Sequence, residues 1–260
     1  SSSPTGSRPF PLRPAEFVGM MAAFQALQAL AIDAMLPALG VIARDLDVAD
    51  PNQRQLVIGA FLISSGIGTL VPGALADRFG RRPVILSALC AYAICSVVCA
   101  LAGSFTLLLA GRALMGLFSS AMLVIPMTIL RDRFDGDRMA RTQSLVSMIF
   151  MVVPMIAPML GQGVLLFASW RWIFGIMATV SVIVGIWAFA RLPETLREEF
   201  RQPIRPGAIA GNMIAAFRVR EAFGYFVGAA FIQGALFGYI NSSQQIIGEH
   251  FGMGMQFPVV

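Results

Sequence analysis

Long apolar runs separated by short polar segments recur along the whole chain. A helix rises 1.5 Å per residue, so roughly 20 apolar residues cross a hydrocarbon core of ~30 Å. Runs near 17–39, 55–76, 83–103, 105–130, 142–167, 170–190 and 222–247 meet that requirement. They predict seven membrane-spanning helices and an all-α integral membrane protein. The first six follow one another through short loops, and then "RLPETLREEFRQPIRP" intervenes, dense in charge and proline, as a linker. The predicted organisation is a tail at 1–16, a six-helix transmembrane domain at 17–191, a linker at 192–221 and the start of a second transmembrane domain at 222–260. Another apolar run begins in "HFGMGMQFPVV" and the first residue is Ser1, so the sequence is expected to be a piece of a longer protein.

Composition agrees: 57% of the 260 residues are hydrophobic and 13% charged, against about 25% charged in soluble domains. The net charge of +5 does not form a nucleic-acid patch, because the arginines follow the spans. Arg8 and Arg13 precede the first span. Arg78, Arg81 and Arg82 follow the second, Arg131, Arg133, Arg138 and Arg141 the fourth, and Arg191 to Arg220 the sixth. Only Arg44, Arg54 and Arg171 lie in the opposite loops. The positive-inside rule then predicts a cytoplasmic N-terminus. The leader "SSSPTGSRPFPLRP" lacks the apolar core of a signal peptide and reads as a cytoplasmic tail. Cys90, Cys95 and Cys99 fall in the third span and are expected to pack as small apolar groups; no metal site is expected.

Gly66, Gly68 and Gly73 in the second span, Gly111 and Gly116 in the fourth, and Gly224, Gly228, Gly234 and Gly238 in the seventh offer positions for close helix approach. Pro126, Pro154 and Pro158 each remove a helix hydrogen bond and favour a bend, which serves either packing or helix motion.

Two ionisable residues lie within the spans, Asp33 and Arg112. Such charges cost about 2.5 to 3.5 kcal/mol on insertion scales and mark function. Asp33 lies about six residues from the end of its span and Arg112 about seven from the same side, so both are roughly 10 Å deep. Equal depth permits pairing. Burial disfavours a charged carboxylate and a nearby arginine favours it, so hydration or substrate occupancy could switch the protonation of Asp33; a static ion pair that fixes helix register is the alternative. Gln25, Gln28, Gln233 and Asn241, with Met115, Met151 and Met155 as an adaptable apolar wall, are weaker candidates for substrate contact, ordinary packing being the alternative for each.

The most specific string is "GALADRFGRRP" at 73–83. Gly73 is expected to permit close packing, Asp77 to end the helix with an acceptor charge that Arg131 or Arg133 could meet, and Gly80 to allow a tight turn. Arg81 and Arg82, with Arg78, anchor the cytoplasmic side. This string resembles the signature loop of the major facilitator superfamily of secondary transporters. "RALMG" at 112–116 resembles that family's fourth-span arginine motif, and "APMLGQ" at 157–162, with Pro154, Pro158 and Gly161, its antiporter motif. "AIDAMLPAL", "ADRFGRRPVIL", "SWRWIF" and "PETL" together resemble the bicyclomycin-resistance (Bcr/CflA) branch of drug:proton antiporters. Met115 stands where that motif usually has glutamine, Phe118 where the branch often has glycine, and Gln162 where a glycine pair often ends the fifth-span motif.

The resemblance implies a major facilitator fold of twelve spans, of which this chain holds the complete N-terminal six-helix half plus the seventh helix. It implies that the first and fourth spans line a cavity, that Asp33 and Arg112 couple protons to transport, and that the 73–82 loop latches one conformation. The expected activity is proton-coupled efflux of drugs or other small amphipathic molecules across the bacterial inner membrane, with the proton gradient as energy source and no cofactor. A monomer is expected at full length. A metabolite transporter of the same family, for a sugar or organic acid, is the alternative. A retinal protein is excluded because all 19 basic residues are arginine. The single histidine, His250, lies beyond the seventh span, so no HExxH metal site exists and no enzyme is expected.

Overall fold

A computed structural model of the chain describes residues 12–48, 50–196 and 218–245, with 199 and 207 as isolated positions. Most of the predicted tail, most of the linker and the final apolar run lie outside the described residues. Among the described residues every regular element is helical. The helices are α1 (Pro14–Asp33), α2 (Leu39–Asp45), α3 (Leu56–Gly68), α4 (Pro72–Phe79), α5 (Arg81–Ala100), α6 (Phe105–Arg133), α7 (Gly136–Phe167), α8 (Arg171–Arg191) and α9 (Arg220–Gln245).

α5, α6, α7 and α8 are each long and apolar enough to cross a membrane, as is the Pro14–Asp45 stretch containing α1 and α2. The second expected span is not one straight helix: α3 and α4 meet at 46° and complete a sixth crossing only as a bent pair. Pro72 causes the break, since it has no N–H to return to the Gly68 carbonyl. That carbonyl accepts from Val71 N at 3.1 Å instead. Within α9 the described apolar stretch, Phe223–Ala235, is shorter than a span. Pro126, Pro154 and Pro158 do not interrupt their helices, for α6 and α7 each run through them.

α3 packs on α6, α5 on α6 and α8, and α1 on α7 and α6. Small residues set the first two crossings. A Cβ on Gly68 would stand 2.9 Å from the Leu117 carbonyl oxygen, and one on Gly111 2.7 Å from Cys99 Sγ. A Cβ on Gly116 would strike the Phe61 carbonyl and the Ser64 hydroxyl. Gly66, Gly73, Gly224, Gly228, Gly234 and Gly238 face open space among the described residues, so close packing at those positions is not found. Cys95 and Cys99 are buried as expected of packing groups, whereas Cys90 is exposed.

Polar clamps hold α8 to the rest of the bundle at both ends. At one end Trp170 Nε1 and Arg171 Nη1 both donate to Asp45 Oδ2, at 2.9 and 2.6 Å, and Arg171 Nη2 reaches the Ala102 carbonyl at 3.2 Å. At the other, Arg191 grips Glu16 in a two-pronged pair of 2.8 and 2.9 Å, the planar fork matching the carboxylate. α7 differs from the other spans: 17% of its apolar window is buried, against 61% for the stretch containing α1.

Candidate functional site

The sequence "AIDAMLPAL" dictates where the first span breaks. Pro37 cannot donate to the carbonyl of Asp33, four residues earlier, and its ring crowds that carbonyl. α1 accordingly ends at Asp33, and a single 3-10 turn, Leu36–Ala38, leads into α2. Asp33 is therefore a helix-terminal residue at a break inside the span rather than a mid-helix residue of an unbroken 17–39 helix. Its side chain is 8% exposed and forms no hydrogen bond or ion pair among the described residues. α7 closes against this break, with Gly161 seated on the Ala34 carbonyl and on Pro37. Broken membrane helices of this kind free backbone groups where a cavity is lined.

Arg112 is fully buried in α6. Its Nε donates to the Val57 carbonyl at 2.9 Å, its Nη1 lies 3.9 Å from Met115 Sδ, and its guanidinium stands 4.5 Å over the Phe61 ring and 5.9 Å from that of Phe174. Nη2 is buried with no partner. The expected pair with Asp33 is absent. The arginine fork is committed to α3 and to aromatic faces that attract a desolvated cation, while Asp33 sits at the α1 break beside α7. A buried cation without a carboxylate is costly, and Nη2 keeps an unmet donor in the core.

The weaker candidates divide. Gln28 Nε2 donates to Ser65 Oγ at 3.2 Å, Ser119 Oγ lies 3.4 Å from the same oxygen, and Gln28 Oε1 is a buried acceptor with no partner. Gln25 is buried at 7% exposure and likewise has no hydrogen bond among the described residues. Met115 is fully buried, with its sulfur between Arg112 and the Ser96 hydroxyl. Met151 and Met155 lie on the uncovered face of α7, 70% and 73% exposed. Gln233 is exposed on α9, and the side chain of Asn241 lies outside the described residues.

The 73–82 loop forms a charge cluster at the opposite end of the bundle from Trp170. Arg81, whose side chain is 6% exposed, bridges Asp77 at 2.5 Å and Asp132 at 3.1 Å. The partner of Asp77 is thus Arg81, one turn along the same motif, rather than Arg131 or Arg133. The fourth span contributes an acid, Asp132, which also accepts from Thr195 Oγ1 at 3.3 Å. Arg78 stacks on Phe79 at 5.3 Å. Glu194 caps α5: its two oxygens accept from the backbone N–H groups of Arg81 and Arg82 at 2.9 and 3.1 Å, meeting orphan donors at the positive end of the helix.

Gly80 makes this possible. Its φ of +103° and ψ of 157° lie in a region open essentially to glycine alone, and a Cβ there would collide with the Glu194 carboxylate. Gly80→Ala is expected to cost about 1 to 3 kcal/mol, read as a fall in thermal midpoint in detergent. In a Glu194→Ala background the same substitution should cost less, since the collision is gone and only backbone strain remains.

Asp132, Glu194 and Ser65 were not singled out as site residues by sequence. Glu194 had a visible signal in "PETL", but its partner lies 112 residues away.

The sequence model of the Major Facilitator Superfamily matches residues 21–260. A "Bicyclomycin resistance protein homolog" of Haemophilus influenzae is 31% identical over 229 residues, covering 87% of this chain and 56% of that protein. "Multidrug resistance protein MdtL" of Escherichia coli is 37% identical over 164 residues, covering 63% of this chain and 42% of that protein. A crystal structure of a bacterial homologue of the human lysosomal transporter Spinster, inward-facing and unoccupied, superposes with a TM-score of 0.73 at 18% identity, covering 98% of this chain and 59% of that one. That likeness is one of fold. The chain spans about half the length of the relatives it matches.

Proposed function

The chain belongs to the Major Facilitator Superfamily, and from that premise we propose that the whole protein exports drugs or other small amphipathic molecules across the bacterial inner membrane in exchange for protons. It is a transporter and not an enzyme, it works by alternating access, and its N-terminus is cytoplasmic. The observation that carries this is the pair of unneutralised charges within the spans: Asp33 at a helix break with no partner among the described residues, and Arg112 with an unmet Nη2 donor. A carboxylate with no fixed partner can gain and lose a proton without breaking a structural ion pair. In the alternate conformation Arg112 becomes its counter-charge, so that proton and substrate favour different states. Each pH unit of gradient supplies about 1.4 kcal/mol per proton, and each net charge moved adds ~2.3 kcal/mol per 100 mV. The names of the relatives from Haemophilus influenzae and Escherichia coli support drugs as the cargo class.

One observation favours a polar metabolite instead. The unmet Gln28 acceptor, backed by Ser65 and Ser119, suits a ligand that donates hydrogen bonds. The two cargoes are separated by expressing the full-length protein in an efflux-deficient bacterium. Efflux predicts raised resistance to at least one compound and proton release by the purified protein when that compound is added. Growth-supporting uptake of a nutrient, with no change in susceptibility, would overturn it in favour of the metabolite.

A further inference from the structure

Between α5 and α8, on the outer surface of the bundle, runs an open crevice of about 580 Å³. Leu86, Ala93 and Val97 form one wall, Val182, Gly185 and Phe189 the other. The Ser181 hydroxyl, which also borders it, is already bound to the Leu89 carbonyl at 2.9 Å, so the lining offers apolar contact alone. The helices touch at its floor, where a Cβ on Gly185 would lie 3.9 Å from that of Leu89. The crevice extends along α5 from Leu86 to Val98, roughly 18 Å at the rise of a helix, or about one leaflet of a ~30 Å hydrocarbon core.

A single cation marks one mouth. The guanidinium of Arg82 stands 5.3 Å over the Phe189 ring and its Nη2 donates to the Phe189 carbonyl at 2.7 Å. Arg81 beside it is neutralised by two carboxylates. Arg82 has no ion pair among the described residues and its Nε has no partner. Of the acids around it, Asp77 and Asp132 are paired with Arg81, and Glu194 accepts from the backbone N–H groups of residues 81 and 82.

We infer that this crevice holds an acyl chain of an anionic phospholipid, with the lipid phosphate met by Arg82. The groove is apolar throughout, as long as one leaflet is deep, and carries its positive charge at the end where the chain would emerge toward a headgroup. A second protein helix gains no hydrophobic driving force from an apolar groove in lipid. The cation selects the headgroup, and one arginine near an anionic surface corresponds to about a fivefold preference.

The test is native mass spectrometry of the full-length protein, extracted from vesicles of phosphatidylethanolamine with a minority of phosphatidylglycerol. The expected result is a monomer retaining phosphatidylglycerol about fivefold above its share in the vesicle. Gly185→Leu and Ala93→Phe fill the crevice from opposite walls, and each should release the retained lipid from a protein that still elutes as a single species. Arg82→Gln should lose the headgroup preference and Arg82→Lys keep it. Lipid retained by the wild type in the vesicle ratio would overturn the site, and that measurement does not depend on any variant folding. Unchanged retention in both filling variants, or a dimer occupying this face, would overturn it equally.

Discussion

Asp33→Asn in the full-length protein is expected to abolish drug-induced proton release and to lower resistance by about tenfold or more, the factor associated with ~1.4 kcal/mol per pH unit of gradient. Asparagine keeps the shape of the side chain and cannot carry the proton. Because Asp33 has no bond to lose among the described residues, the variant should unfold at the same temperature as the wild type or slightly higher. The two measurements together separate a proton carrier from a structural ion pair. A residue that only held α1 to α6 would lower the thermal midpoint when neutralised, through the unpaired arginine left behind, and would leave residual coupling in the surviving molecules. Full proton-driven efflux by Asp33→Asn would remove Asp33 from the mechanism.

The second large effect is steric. Gly161→Ala places a methyl group into the Ala34 carbonyl and against Pro37, and backbone on that side cannot yield as a flexible side chain would. α7 must move away from the break that ends α1, at a cost of about 1 to 3 kcal/mol for overpacking. Thermal unfolding in detergent should show a clear fall in midpoint. Transport per folded molecule should fall as well, since the displaced contact is one residue from Asp33. Gly163→Ala, two residues along α7 and facing open space among the described residues, is the control and should change neither.

Apolar run lengths point to the first six spans in order, five of them single stretches and the second a bent pair, because a helix satisfies its own backbone hydrogen bonds in lipid whatever it packs against. Local backbone chemistry was equally legible. Gly80 announces a tight turn, and its φ is positive; the prolines that break helices, Pro37 and Pro72, lie inside runs that predict continuous spans, whereas Pro126, Pro154 and Pro158, expected to favour bends, leave their helices uninterrupted. What tertiary structure alone decided is which side chains meet. Counting along the spans gives Asp33 and Arg112 one depth, yet depth leaves rotation about each helix axis free, and the crossing of α6 with α3 turned the arginine toward Val57 and Phe61. Met115 went into the core by the same rotation. Asp132 and Glu194 became partners of the 73–82 loop because helices far apart in sequence end at the same level. The sequence carries the constraints each residue places on its own backbone and on its depth in the membrane; the partners across helices depend on crossing geometry, which no single helix specifies.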